Sequence, residues 1–230
     1  MNITLCEVGE TGVEGLESYS PFCVKVHRAL RFLGRDYQRR HGMPSDFLPL
    51  NPAGKVPVVL FGDEPVADST RILDRLGVGP TAPGDAAEAY LWEELADVSL
   101  NGFVVAARWA DDDNWPRCRE AFFGGMPAIV RAVVVPRMRR RVLGELEARD
   151  VWAAGPDACW ARFGELLDHL DQRAPRSGYW LGGGITNADF ALFGQLHSLR
   201  CELTPWQASQ IALRKRLSAY LDRVHRATGG

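Results

Sequence analysis

At 230 residues, 46% of them hydrophobic and 24% charged, the chain can bury one large core or two small ones without disulfide or metal staples, and it is too apolar for extensive disorder. A formal net charge of -2 gives no electrostatic support to a general role on nucleic acid or on anionic membranes, and no apolar run approaches the length of a bilayer crossing. The five cysteines, Cys6, Cys23, Cys118, Cys159 and Cys201, are scattered and lack metal-ligand spacing, so no metal is expected and a reducing, cytoplasmic setting fits them.

In chain order, Ile3 to Val8 is β-branched and alternating enough for a first strand. A glycine-bearing loop leads to Tyr19-Ser20-Pro21-Phe22-Cys23-Val24-Lys25-Val26. Here Ser20 is placed to cap a helix, Pro21 suits its first turn, and Val26, Ala29, Leu30 and Leu33 continue an apolar stripe that Gly34 should end. The N–H groups at such a helix start favour an anion, a thiolate included. Tyr37 to His41 reads as a second strand and Val56 to Phe61 as a third. Gly62-Asp63 reads as a hairpin turn and Pro65 to Ala67 as a fourth strand. Asp68 and Ser69 then open a helix through Leu76. Gly77 to Gly84 has linker composition, which divides the chain into an α/β domain (1–77), a linker (78–84) and a helical domain (85–230).

Beyond the linker, Leu91, Leu95, Val98, Gly102, Val105 and Trp109 trace one face of a long helix, and Trp92, Ala96, Ser99 and Phe103 a second. Asp111 to Asn114 should end it, with a helix from Trp115 to Phe123 after it. Ala128 to Arg149 resumes helical spacing with Pro136 kinking or dividing it. The cluster Arg137, Arg139, Arg140 and Arg141 reads as a solvated face pairing with Glu145 and Glu147. Trp160 to Leu170 marks another helix. Ile185-Thr186-Asn187-Ala188-Asp189-Phe190 has the spacing of a capping box with a hydrophobic staple, and a last helix carries Leu213, Leu217, Tyr220, Leu221 and Val224.

The order β-α-β, β-β-α, then all helix, with Ser20-Pro21-Phe22-Cys23, Asn51-Pro52-Ala53-Gly54-Lys55-Val56-Pro57, Ala67-Asp68-Ser69 and Ile185 to Asp189, resembles the cytosolic glutathione transferase superfamily over essentially the whole chain. Ser-Pro-Phe-Cys-x-Lys-Val and the stretch from Arg108-Trp109 to Phe122-Phe123-Gly124 further resemble bacterial relatives of metaxin and failed-axon-connections proteins. The resemblance implies a thioredoxin-like α/β domain that binds glutathione as co-substrate, an all-α C-terminal helical domain that lines a pocket for a small hydrophobic electrophile, and a homodimer. It matches Val56-Pro57 to a cis peptide facing the peptide part of glutathione, Asp68 and Ser69 to the γ-glutamyl end, and Lys55 to the glycyl carboxylate or to solvent. Ser20 is either the hydroxyl that stabilises the thiolate or a plain helix cap. Cys23 is either a buried helix residue or a nucleophile in thiol-disulfide chemistry. Phe22, Phe103, Arg108 and Trp109 are placed as pocket residues, and Thr186 and Asp189 are assigned to folding. The resemblance equally allows a non-catalytic binding or scaffold protein, since fold alone does not fix activity.

Overall fold

The computed structural model describes residues 2–80, 82, 84–149 and 151–229. Thr81 and Pro83, within the stretch read as a linker, lie outside the described residues. Strand β1 (Ile3–Glu7) is followed by α1 (Pro21–Phe32), β2 (Gln38–His41), a 3-10 turn (Pro44–Phe47), β3 (Val58–Phe61), β4 (Glu64–Ala67) and α2 (Ser69–Arg75). The sheet runs β2-β1-β3-β4, with β1 parallel to β2 and the other neighbours antiparallel. Alternation sorts its two faces. Ile3, Leu5, Val59 and Phe61 join the main core with Val24, Val26, Ile72 and Leu73, while Cys6 and Val58 pack with Phe47 of the 3-10 turn. This is the thioredoxin-like half with a mixed four-stranded sheet.

Helix α1 begins and ends by the chemistry of its flanks. Ser20 Oγ accepts from the Cys23 N–H at 3.3 Å, and Pro21 follows. At the other end Gly34 has φ +59, its N–H donates to Arg31 O, and the Arg35 N–H donates to Leu30 O, both at 2.9 Å.

The helical half opens on one continuous rod. It consists of α3 (Asp85–Glu94), a π segment (Leu95–Leu100), α4 (Asn101–Val105) and a second π segment (Ala106–Ala110). Its inward stripe is Ala89, Glu93, Ala96, Leu100, Phe103 and Ala107, all buried, whereas Leu91 and Val98 are 66% and 62% exposed. Of the two apolar faces expected, the one through Leu91 and Val98 turns outward there, while Ala96 and Phe103 of the second lie on the inward stripe. A glutamate sits on the buried stripe, and the wider π turns shift the register past residue 95.

Helices α5 (Trp115–Phe123), α6 (Ala128–Glu147), α7 (Pro156–Arg173), α8 (Asn187–Ser198), α9 (Pro205–Leu213) and α10 (Lys215–Ala227) complete the chain. Pro136 lies inside α6 without dividing it. Of the arginine cluster, Arg141 pairs with Glu145 at 2.9 Å, while Arg139 turns back to Asp112 at 2.6 Å and lies over the Trp115 ring. The expected single terminal helix is two. Arg214 breaks it with φ -85 and ψ 86, and its side chain ties the junction to Asp168 at 3.0 Å and to Gly164 O at 3.2 Å.

The halves meet where α1 lies along α8. Gly194 permits this approach, since a Cβ there would stand 2.7 Å from Pro21 O.

Candidate functional site

A cleft of about 620 Å3 lies between the 51–57 loop, the start of α2 and the α3–α4 rod. Phe22, Lys55, Val56, Pro57, Asp68 and Ser69 line it from the α/β half, and Asp97, Asn101 and Arg149 from the helical half.

The loop is shaped by Asn51. Its Oδ1 accepts from the Ala53 N–H at 3.1 Å, its Nδ2 donates to Lys55 O at 2.8 Å, and Gly54 supplies φ +60 between them. Lys55 is thereby set, exposed, on the rim, and the Val56–Pro57 peptide after it is cis. The strand that Pro57 precedes carries the chain to β4 and back to α2.

At the start of α2, Asp68 Oδ1 accepts from the Thr70 and Arg71 N–H groups at 3.0 and 3.2 Å. Asp68 has φ +79, the only positive φ of a non-glycine residue among the described residues, and Ser69 beside it is nearly buried. A strained backbone of this kind costs about 1–3 kcal/mol and persists where its surroundings hold it, commonly at functional sites.

Ser20 is not itself one of the residues that line the cleft. Phe22, two residues on, is the α1 residue that lines it. The Ser20 N–H donates to Ser18 Oγ at 3.3 Å. Arg108 fixes the backbone just before it, donating from Nη1 to Tyr19 O at 2.5 Å and from Nη2 to Ser198 O at 2.6 Å. Arg108, placed by sequence in the pocket, is instead a buried clamp that joins the rod to the Tyr19–Ser20 turn.

Cys23 is fully buried. Burial, then the neighbouring Glu7 carboxylate, pushes its thiol up to about 12, against the opposing hydroxyls of Ser20 and Ser18. A thiol held in this way carries almost no thiolate at neutral pH, so the structure leaves Cys23 as a packed helix residue. Phe103 is likewise fully buried, 5.2 Å from Phe163, and belongs to the core. Trp109 packs among Trp115, Phe122 and Phe123 at 5.5 to 6.0 Å between ring centroids and is not one of the cleft-lining residues. Of the four residues placed in the pocket by sequence, the structure brings only Phe22 to it.

Sequence reasoning did not find Asp97, Asn101 or Arg149. The signal was present: Glu93, Asp97 and Asn101 recur every four residues along a helix otherwise apolar on two faces. The buried Lys25 ammonium meets Glu93 at 2.5 Å, Asp97 at 2.7 Å and Thr70 Oγ1 at 3.3 Å. Asn187 Nδ2 donates to the other Glu93 oxygen at 2.7 Å. This polar knot ties α1, α2, α3, the first π segment and α8 together immediately behind Ser69. Burial raises the Asp97 carboxyl, with Lys25 opposing. Among the described residues no group of three His, Cys, Asp or Glu could hold a metal ion, and no helix is long and apolar enough to cross a membrane.

Two family models match the chain: the N-terminal domain of glutathione S-transferase over residues 19–77, and its C-terminal domain over residues 112–223. A curated relative, the isoprene-epoxide glutathione S-transferase of a Rhodococcus species, is 24% identical over 231 residues, covering 92% of this chain and 94% of its own. Among solved structures, a glutathione S-transferase from Methylobacillus flagellatus with glutathione bound superposes with a TM-score of 0.59 at 17% identity, covering 98% of each chain. A beta-etherase from a Sphingobium species gives 0.61 at 18% identity, over 97% of this chain and 95% of that one.

Proposed function

Because this chain belongs to the glutathione S-transferase family, we propose that its cleft binds glutathione and that the protein transfers the glutathione thiolate to a small electrophile. The observation that carries this reading is that Lys55, Val56, Pro57, Asp68 and Ser69, from two separate segments, line one cleft of a size for a tripeptide and a second small molecule. In this pose Lys55 meets the glycyl carboxylate as a point charge, the Val56 backbone pairs with the peptide, and Ser69 receives the γ-glutamyl carboxylate.

The sulfur then points toward the start of α1. A free thiol has pKa ~8.5, and each unit by which the site lowers it is worth about 1.4 kcal/mol. The Ser20 hydroxyl accepts from the Cys23 N–H and keeps its own proton to donate to a thiolate. The thiolate attacks the electrophilic carbon, a C–S bond forms, and the leaving atom departs with the electron pair of the bond that breaks. For an epoxide, the class named for the Rhodococcus relative, that atom is the ring oxygen, which takes a proton from solvent.

The absence of Ser20 from the cleft lining favours a second reading, a glutathione-binding scaffold without turnover. Two measurements on the full chain separate them. Calorimetry with glutathione tests binding, and conjugation rates of Ser20→Ala and Cys23→Ala test chemistry. The proposal expects a loss of about tenfold or more for Ser20→Ala, and a Cys23→Ala rate within twofold of the parent. Binding without turnover would leave the scaffold, and a rate abolished only without Cys23 would assign the chemistry to that thiol.

Within the same proposal, the Ser-Pro-Phe-Cys-x-Lys-Val motif supports a place near the bacterial metaxin-like members, and the division into 1–77, 78–84 and 85–230 stands as the domain plan. The exposed Leu91 and Val98 on the rod and Ile129 on α6 support a two-fold homodimer, which sedimentation tests.

A further inference from the structure

The helical side of the cleft carries a cation for which the glutathione pose has no use. Arg149 follows the last turn of α6, its N–H donating to Leu146 O at 2.8 Å, and its side chain reaches α4, where Nη1 donates to Asn101 Oδ1 at 3.2 Å. Asn101 is itself nearly buried and held, with Nδ2 donating to Gln195 Oε1 at 3.3 Å. Gln195 Nε2 in turn meets Asp97 Oδ1 at 3.5 Å. The carbonyl of a fixed amide therefore orients a guanidinium of the cleft that Phe22 also lines from α1.

A guanidinium has five donors in a planar fork matched to a carboxylate, and Asn101 takes one of them. The other charges on the cleft are Lys55, Arg71, Asp68, Glu94 and Asp97. Lys55 belongs to the glycyl end in the proposed pose, and Arg71 and Asp68 stand at the start of α2. The Asp97 carboxylate is paired with Lys25. Asp97 shares that ammonium with Glu93, so Asp97 and the exposed Glu94 are the rod carboxylates that oppose an incoming anion.

We propose that the electrophile carries a carboxylate, received by Arg149 as Asn101 holds it, with the apolar part of the molecule against the Phe22 ring. Arg149 is then a specificity-determining residue, and the preferred substrates are small amphiphilic electrophiles with an acid group, a narrower class than plain hydrocarbon epoxides. This rests on the glutathione reading above.

The test uses the full-length protein and two ligands that differ only in the acid group, S-(4-carboxybenzyl)glutathione and S-benzylglutathione, titrated by calorimetry beside glutathione itself. The parent should bind the carboxylated ligand about tenfold more tightly. Arg149→Gln should erase that preference, Arg149→Lys should keep part of it, and Glu94→Gln should enlarge it. Turnover of 4-(bromomethyl)benzoate against its methyl ester should follow the same order in kcat/KM. Equal binding of the two ligands by the parent overturns the inference and leaves the glutathione reading intact. A fall in glutathione affinity for Arg149→Gln as large as that for the carboxylated ligand also overturns it, by moving Arg149 to the glutathione pole. No heat with glutathione sinks the underlying reading and the inference together.

Discussion

The starts of α8 and α2 use one device under opposite conditions. At α8 the Asp189 carboxylate is sealed in the core with every neighbour placed. It accepts from the Thr186 N–H at 2.9 Å, the Thr186 hydroxyl at 3.0 Å, the Trp180 N–H at 2.8 Å and the Tyr220 hydroxyl at 2.7 Å. At α2 the Asp68 carboxylate faces solvent, caps only its own first turn, and leaves a serine and a strained backbone at the edge of a cleft. A carboxylate at a helix start can organise folding where donors enclose it, or prepare a ligand site where they do not.

The largest expected effect breaks the sealed cap. Asp189→Ala leaves several buried donors unpaired at once and should cost about 3 kcal/mol or more in denaturant unfolding. The same change that left stability intact would show that the box is ornamental. Next is the knot between the two regions: Lys25→Met leaves Glu93 buried without its cation and should cost about 3 kcal/mol, part of which Lys25→Met with Glu93→Leu recovers. A double variant no better than the single one would contradict the pairing.

The open cap should behave in the other way. Ser69→Ala should lower glutathione affinity about tenfold by calorimetry with a small change in melting temperature, since one hydrogen bond to a charged group is worth about 1.5–3 kcal/mol. The smallest effect at neutral pH is at the far end of α8. Burial lowers the His197 imidazole to about 4, with Arg28 acting in the same sense and the Nε2 hydrogen bond to Gly15 O opposing. The unfolded chain, with an ordinary pKa of ~6.5, binds the proton first, so this contribution to stability is complete above that value and is lost as pH falls toward 4. His197→Gln should flatten the pH dependence of unfolding across that window, and an unchanged slope would show that His197 does not supply it.

These contrasts also explain what was legible in the residues. Elements fixed by local chemistry could be read directly: the Ser20-Pro21 start and Gly34 end of α1, the Gly62-Asp63 turn, and the capping box at Thr186. Elements fixed by partners far along the chain could not. The inward face of the rod was legible at Ala96 and Phe103 but not at Glu93, since a glutamate reads as surface until Lys25, remote in sequence, is seen beside it. Arg149, beyond the end of α6, reaches the cleft beside Asn101 of the rod, a partner 48 residues earlier in the chain. Phe103 and Trp109 share the composition of pocket residues, and only packing showed that their neighbours are Phe163 and the α5 aromatics. For Cys23, spacing placed the thiol one turn inside the helix, but its burial beside Glu7 depends on β1.

The most direct measurement is a structure of the protein soaked with glutathione. The glycyl carboxylate is expected near Lys55, the γ-glutamyl carboxylate at Ser69, and the sulfur within hydrogen-bond reach of Ser20 Oγ. A sulfur joined to Cys23, or a glutathione bound away from the Val56–Pro57 wall, would contradict this pose.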